Sequence, residues 1–478
     1  MLGLFGTLNM ANRSLQTQRN STEVAGHNLA NVNTPGYSRQ RVAIETSITI
    51  QSDMGPQGTG AEAVAIVQLR DKLLDRQIVD ESSVRAAYGG RQRALQLAQA
   101  AFGQAIDRQA TGAEGSAAAS GVGGQHGIAE ELSALFAAFQ SLSTNPTSSA
   151  ERQVLVIKAQ NLATQFNQVS RRFDGLRTSL NESISSEVSQ ANIALADIAQ
   201  LNNQIITAEL GTEAQANDLR DARQKRIEDL AKLVHIDTVE NSNGGVDISI
   251  DGVQLVSGRN VLDTLESFDA GSGSGQFLVR TVAGGTTLTL TGGSLQGTID
   301  ARDNDLVQLR ADIDNLATQL ITGINAIHGS GYGLGGTTGE QFFTGTNASD
   351  IAFNQILAND PSRIQASGVA GAVGDNTVVL QLAQLADTRH AALGNQTFLE
   401  NYGQTVSKLG QYLNGLNTQL SNQDIVEQML LRQRDSVSGV SLDEEMTDLV
   451  RFQRAFEASA RLITTIDEML VTVVNLKR

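Results

Sequence analysis

The sequence contains no cysteine, which excludes both a disulfide framework and thiolate metal sites. Tryptophan is also absent, and aromatic residues make up only 4% of 478. That is thin material for a thick globular core, whereas abundant Gln, Asn, Ser and Ala suit long helices with small-residue seams. Positive charge is scarce: 35 Lys and Arg face 51 Asp and Glu, a net −16. Such a chain repels phosphate backbones and anionic lipid heads, so nucleic acid and membrane surfaces are poor partners. No run approaches the roughly 18 apolar residues of a spanning helix. The first residues have helically spaced apolar positions, with neither a basic leader nor a small-residue cleavage site, so no Sec signal is expected.

Chemistry-bearing motifs are missing too. There is no Gly-Lys pair, hence no Walker A loop. Gly331-x-Gly333-x-x-Gly336 has the letters of a dinucleotide fingerprint, but it follows a helical pattern where the fingerprint needs a strand, and it reads as a loop. His27, His126, His235, His328 and His390 are isolated, and none stands in His-Glu-x-x-His, which argues against zinc. Asp300, Asp303 and Asp305 cluster without the Gly and closing Glu of a calcium loop, and read as a solvated helix start. No catalytic, cofactor or metal residue is assigned, and no enzyme is expected.

What is present is periodicity, above all at the two ends. Leu4, Leu8, Ala11, Leu15, Ala25, Leu29 and Val32 form one helical stripe, with Gln18 and Thr22 filling two positions. It stops at Thr34-Pro35-Gly36-Tyr37, where Pro supplies φ near −65° and Gly the positive φ of a type II turn. Leu442, Met446, Leu449, Phe456, Ala460, Ile463, Leu470 and Val474 repeat the spacing at the C-terminus, with Gln453 and Asp467 as polar interruptions. Burying about eight side chains does not offset the entropy of ordering about thirty residues. Neither end is expected to be stable alone; both read as assembly elements that order when subunits join.

Between the ends the pattern predicts extended chain over 39–50, a loop over 55–60, a short strand over 63–67 and helix over 69–102, broken at Gly89-Gly90. A Gly, Ala and Ser connection follows over 110–127. Helices are predicted over 128–142, stopped at Asn145-Pro146, over 150–210 with near-heptad spacing, and over 217–233, folding back as a hairpin. From 234 to 300 the period changes to 2: Val246-Asp247-Ile248-Ser249-Ile250, Gln254-Leu255-Val256, Phe277-Leu278-Val279 and Leu288-Thr289-Leu290 read as strands between Gly-rich turns. Helix returns over 294–328, 378–385 and 398–430 and through the C-terminal seam. The fold class expected is mainly α with a small inserted β domain: an elongated multi-domain rod of long antiparallel coiled-coil-like helices, with the N- and C-terminal helices paired. The expected domains are 1–45 with 436–478, 46–235 with 300–435, and 236–299 at the outer tip.

The run Asn28-Leu29-Ala30-Asn31-Val32-Asn33-Thr34-Pro35-Gly36-Tyr37 resembles the N-terminal signature of the bacterial flagellar axial proteins. Ser438-Gly439-Val440-Ser441-Leu442-Asp443-Glu444-Glu445-Met446, continuing through Phe452-Gln453-Arg454-Ala455-Phe456 to Ile466-Asp467-Glu468-Met469, is similar to their C-terminal signature. The middle, with Leu201-Asn202-Asn203-Gln204-Ile205, Asn217-Asp218-Leu219-Arg220-Asp221-Ala222-Arg223 and Asp251-Gly252-Val253-Gln254-Leu255-Val256-Ser257-Gly258, resembles the hook-associated branch of that family; its β insert is short for the branch.

The resemblance implies a structural subunit of the hook–filament junction that needs no cofactor. It implies export through the flagellar channel to an extracellular position. The implied partners are copies of the chain in a ring layer, the hook protein, a second junction protein, and, before assembly, an export chaperone and the export apparatus. The implied interface residues are Leu4, Leu8, Leu15, Asn28, Leu29, Asn31, Asn33, Pro35, Gly36 and Tyr37, with Leu442, Met446, Leu449, Phe452, Phe456, Ile463, Ile466, Met469 and Leu470. For Asn28, Asn31 and Asn33 two readings stand side by side, helix capping and bonding to neighbouring subunits. Another axial protein, or a cytoplasmic coiled-coil adaptor, remains an alternative.

Overall fold

The computed structural model describes residues 3–52, 55–102, 127–211, 214–271 and 275–475. Nearly all of the expected connection over 110–127, and His126, lie outside them. The chain opens with α1 (Leu4–Ala30), followed by β1 (Gln40–Thr46), β2 (Thr49–Ser52), β3 (Gly55–Gly58) and β4 (Ala61–Gln68). β1 pairs antiparallel with β4 and β2 with β3, so the expected loop over 55–60 is largely a strand. Then come α2 (Lys72–Phe102), α3 (Ile128–Thr144), α4 (Ser149–Ala208) and α5 (Asn217–Leu233).

α4 is the beam of the molecule. Its 60 residues span about 90 Å at 1.5 Å per residue, and its N-terminus is capped by Ser148 Oγ, which accepts from the Glu151 N–H at 3.2 Å. Buried Leu155, Leu162, Phe166, Val169 and Phe173 keep the three-and-four spacing, and α5 returns against it, as the sequence predicts. Two cores share this beam. Leu155 to Leu180 belong to one, Ile184 to Ala199 to another.

The second core is completed by β5 (Asp237–Glu240), β6 (Val246–Ile250), β7 (Val253–Ser257) and β8 (Asn260–Val261), which form a four-stranded antiparallel sheet, and by the hairpin β9 (Leu265–Asp269) and β10 (Phe277–Thr281). Val246, Ile248 and Ile250 point inward in strict alternation. The segment expected as a strand at Leu288-Thr289-Leu290 is not one: only Thr287 bridges to Arg280, and Leu288 and Leu290 serve as buried plugs.

The chain then returns through α6 (Gly293–Asp300) and α7 (Leu306–His328), joined by one π-helical turn, Ala301–Asp305. β11 (Phe343–Thr344), β12 (Ala352–Phe353), α8 (Gln355–Asn359), α9 (Thr377–Gln384), α10 (Phe398–Ser438) and α11 (Leu442–Asn475) complete it. Gly331 to Gly336 follow α7 and lead into no helix. Phe342 anchors the first core, with the rings of Phe343 and Phe353 at 5.0 Å and that of Phe139 at 5.3 Å.

Two expectations give way here. Gly89-Gly90 does not break α2, which runs through both glycines. Gly90 is where α6 crosses: a Cβ on it would lie 2.6 Å from the Ser294 carbonyl oxygen, and one on Gly297 1.9 Å from that of Ala87, whereas nothing lies within 4 Å of a Cβ on Gly89. Nor are the three aspartates a solvated helix start. Asp305 is buried and takes a two-pronged bond from Arg91 at 2.7 and 2.8 Å, while the fully buried Arg302 binds Asp303 and Asn181. The π turn presents both side chains inward.

His328 is completely buried, with Nδ1 2.8 Å from the Glu340 carbonyl and Nε2 accepting from the Gln365 N–H at 3.0 Å. Only the neutral ring satisfies both contacts. Burial pushes its pKa down from 6.5 to about 4, against the Glu340 contact. The unfolded chain therefore takes up a proton that the folded chain refuses. Stability from this residue is full above pH ~6.5 and is lost as pH falls towards ~4, about 3 kcal/mol in all. Denaturant melts across that window should show the loss, and His328→Gln should remove this part of the slope.

Candidate assembly site

α1 buries Ala11, Thr17, Ser21, Val24, Ala25 and Asn28, small or polar side chains that let it lie close to β1 and β4. The predicted stripe of Leu4, Leu8, Leu15 and Leu29 stays half-buried. α1 runs along α11, with Ser14 Oγ and Ser459 Oγ 3.1 Å apart. α11 is 34 residues long, yet only Glu445 and Ile466 are buried. Leu449, Phe452, Phe456, Ile463 and Leu470 are half-buried. Leu442, Met446 and Met469 are half-exposed at 52%, 50% and 51%, and Val474 reaches 70%. Helices of this kind draw most of their stability from packing, and here much of the apolar surface has nothing against it.

Where α1 ends, the chain makes the predicted turn. Gly36 has φ +83° and the Tyr37 N–H donates to the Thr34 carbonyl at 3.2 Å, the geometry only glycine adopts freely. The turn returns the chain to Asn28, whose amide is fully used. Its Oδ1 accepts from Tyr37 OH at 2.8 Å and from the Gln40 N–H at 2.9 Å. Its Nδ2 donates to the Gln40 carbonyl at 2.9 Å and to Glu445 Oε2 at 3.1 Å. Burial, then Asp218, Asp221 and Glu445, push the Tyr37 phenol's pKa up, so it stays protonated and able to donate.

The next residues tie three elements together. The Ser38 N–H donates to Asp221 Oδ2 on α5 at 2.9 Å, and Gln40 Nε2 to Asp218 Oδ1 at 2.8 Å. Between them Arg39 turns to the α10–α11 junction: its N–H donates to the Ser438 carbonyl at the end of α10 at 2.8 Å, and its guanidinium meets Glu444 and Glu445 of α11 at 2.6 Å each. Burial opposes the Arg39 charge, but those two carboxylates more than offset it and hold its pKa above the usual value. Burial raises the Asp221 carboxyl, against the Ser38 N–H and Arg70, with Arg70 Nη1 at 3.1 Å.

Of the residues singled out in the sequence, Asn28 and Tyr37 are thus committed within the subunit. Asn31 bonds the His27 carbonyl at 3.0 Å as a local cap. Asn33, Pro35 and Gly36 are exposed on an open cleft of about 590 Å³ between the turn and the α10–α11 junction. Arg39, Glu444, Glu445, Asp218 and Asp221 were missed as site residues; the acidic first turn of α11 and the two arginines, Arg39 and Arg41, after the turn were the only hints. Asn28→Ala should remove four bonds and cost about 2–3 kcal/mol locally. Hydrogen exchange in α1 and the start of α11 should then rise ten- to a hundredfold, with α4 unchanged; unaltered exchange in α1 would refute the hub role.

Comparison with known proteins bears on what this arrangement is. Residues 121–343 match the flagellar hook-associated protein FlgK helical domain. Residues 432–476 match the flagellar basal body rod FlgEFG protein C-terminal family, and 8–37 the flagella basal body rod protein family. Flagellar hook-associated protein 1 of Bacillus subtilis is 27% identical over 99% of both chains, and that of Escherichia coli 23% identical over 98% of this chain and 99% of its own. The structure of the flagellar hook junction protein FlgK from Burkholderia pseudomallei shares the fold, with a TM-score of 0.62 at 16% identity, covering 76% of this chain and all of that one.

The paired terminal helices, the turn between α1 and β1 and the mainly helical centre define a flagellar axial protein, a structural component of the flagellum. Within that class the chain is similar over nearly its whole length to flagellar hook-associated protein 1 of several bacteria. Among the described residues no helix is long and apolar enough to cross a membrane.

Proposed function

We propose that the chain is the subunit that joins hook to filament, acting mechanically and without catalysis or cofactor. Terminal helices of successive copies interlock into a ring layer, with the hook protein on one side and a second junction protein on the other. The observation that carries this reading is α11, whose Leu442, Met446, Met469 and Val474 are exposed apolar side chains that α1 leaves uncovered. In this reading residues 1–45 and 436–478 are the assembly domain, ordered fully on joining; 46–235 with 300–435 form the wall; 236–299 face solvent. The same exposed face is what an export chaperone would cover before the subunit leaves through the flagellar channel to its extracellular position.

A strain lacking the chain tests the proposal by electron microscopy and by a blot of the medium for flagellin. Hooks of normal length without filaments, with flagellin shed, are expected. Loss of the hook itself would favour a rod or hook protein instead, and normal filaments would refute the role.

A further inference from the structure

Between β4, the start of α2, α5 and the β5–β6 turn lies a cavity of about 300 Å³, roomy enough for a small solute and its waters at about 30 Å³ per water. In a chain of net charge −16, five cations line it: Arg70, Lys72, Arg76, Arg220 and Arg223. Their counter-charges do not suffice. Arg70 is matched by Asp75 at 2.5 Å and Asp221 at 3.1 Å. Arg220 takes Glu209 at 2.8 Å and Glu240 at 3.0 Å, and Lys72 must share that same Glu240. Arg76 and Arg223 have no ion pair among the described residues.

Arg223 is the sharper case. It is only 5% exposed, and its Nη1 donates to two neutral acceptors, Asn202 Oδ1 at 2.9 Å and the Gly244 carbonyl at 2.5 Å. Burial, then the neighbouring Arg220 charge, push its pKa down to about 10, against the more distant Glu240 and Glu209 carboxylates, so it is still a cation at neutral pH. A buried cation with no carboxylate in direct contact is costly, and an anion in the cavity lowers the cost.

We propose that this cavity binds a small multivalent oxyanion of the phosphate or polycarboxylate class, held by Arg220 and Arg223 of α5 and by Lys72 and Arg76 of α2. Planar guanidinium groups suit such oxygens, and Lys72, with its side chain 75% exposed, marks the solvent side. α5 also carries Asp218 and Asp221, which hold Gln40 and Ser38. A bound anion would therefore brace α2 and α5 beside the joint to the terminal helices.

The test is calorimetric titration and thermal melting of the full chain with phosphate and with citrate, at constant ionic strength set by sodium chloride. Saturable heat and a rise in Tm are expected with one or both; which of them acts tells the two sources apart. Arg223→Gln should weaken binding by roughly tenfold or more, the loss expected from deleting charge-assisted bonds. Because that variant removes a buried side chain, Lys72→Gln with Arg76→Gln serves as the second test: both residues are exposed, so the melting point without added anion should hold while binding falls similarly. No saturable response in the wild type, or the same response in the wild type and the double variant, would overturn the proposal.

Discussion

Cells whose only copy of this chain carries Phe456→Asp are expected to build hooks without filaments and to be non-motile. Phe456 lies in the groove between α11 and α1, beside Arg19, Thr22, Glu23, Gln453 and Glu457. An aspartate there loses the apolar contact and brings a third carboxylate beside Glu23 and Glu457. Removing such a side chain and desolvating a charge costs about 2–4 kcal/mol. The terminal helices have little to lose: on α11 only Glu445 and Ile466 are buried. Leu449→Asp should act in the same way. Neither residue belongs to either of the two large cores, so thermal unfolding of the purified variant should show an unchanged main transition. Electron microscopy and swarming assays check the first half of the expectation, and calorimetry the second. A motile strain with either substitution would remove the basis for assembly through the terminal helices.

Gly297→Val should have the largest effect on the fold itself. The Cβ would sit 1.9 Å from the Ala87 carbonyl oxygen and 2.9 Å from the Arg91 nitrogen, both backbone atoms that cannot rotate away. α6 must then withdraw from α2. That movement stretches the Arg91–Asp305 pair, now at 2.7 and 2.8 Å, and disturbs the π turn that joins the two cores. A loss of at least ~3 kcal/mol is expected, at the upper end of overpacking costs. It should be read as a lower urea midpoint at unchanged slope. Gly89→Ala is the control: nothing lies within 4 Å of its Cβ, and replacing a mid-helix glycine should stabilise by about 0.5–1 kcal/mol. If Gly297→Val melts like the wild type, the close crossing of α2 and α6 is not what the glycine is for.

The neighbouring Gly89 and Gly90 show how far local reasoning reaches. Two adjacent glycines in a helical pattern ordinarily argue for a break, and nothing nearby in sequence says that a helix some two hundred residues later will cross at that point. The strands divide in the same way. β6 and β7 were legible because Val246, Ile248, Ile250, Leu255 and Val256 are apolar and buried. β5 and β9, with sequences Asp-Thr-Val-Glu and Leu-Glu-Ser-Phe-Asp, were not, since they are strands by virtue of the partners they pair with.

Where the two terminal helices meet, the sequence by itself determined the turn at Thr34 to Tyr37 and the amphipathic character of both helices. It likewise determined the long α4 with the returning α5, whose bounds match the periodicity. Each of these follows from backbone preferences or a repeat of three and four, which act over a few residues. Only the tertiary structure decided that Asn28 closes on Gln40 and Glu445 and that Arg39 faces Glu444 and Glu445. It alone decided that Asp221 holds Ser38. Those pairs are separated by up to some four hundred positions and have no period. They exist because folding buries polar groups that must then find partners, and which partner is in reach depends on how the helices pack.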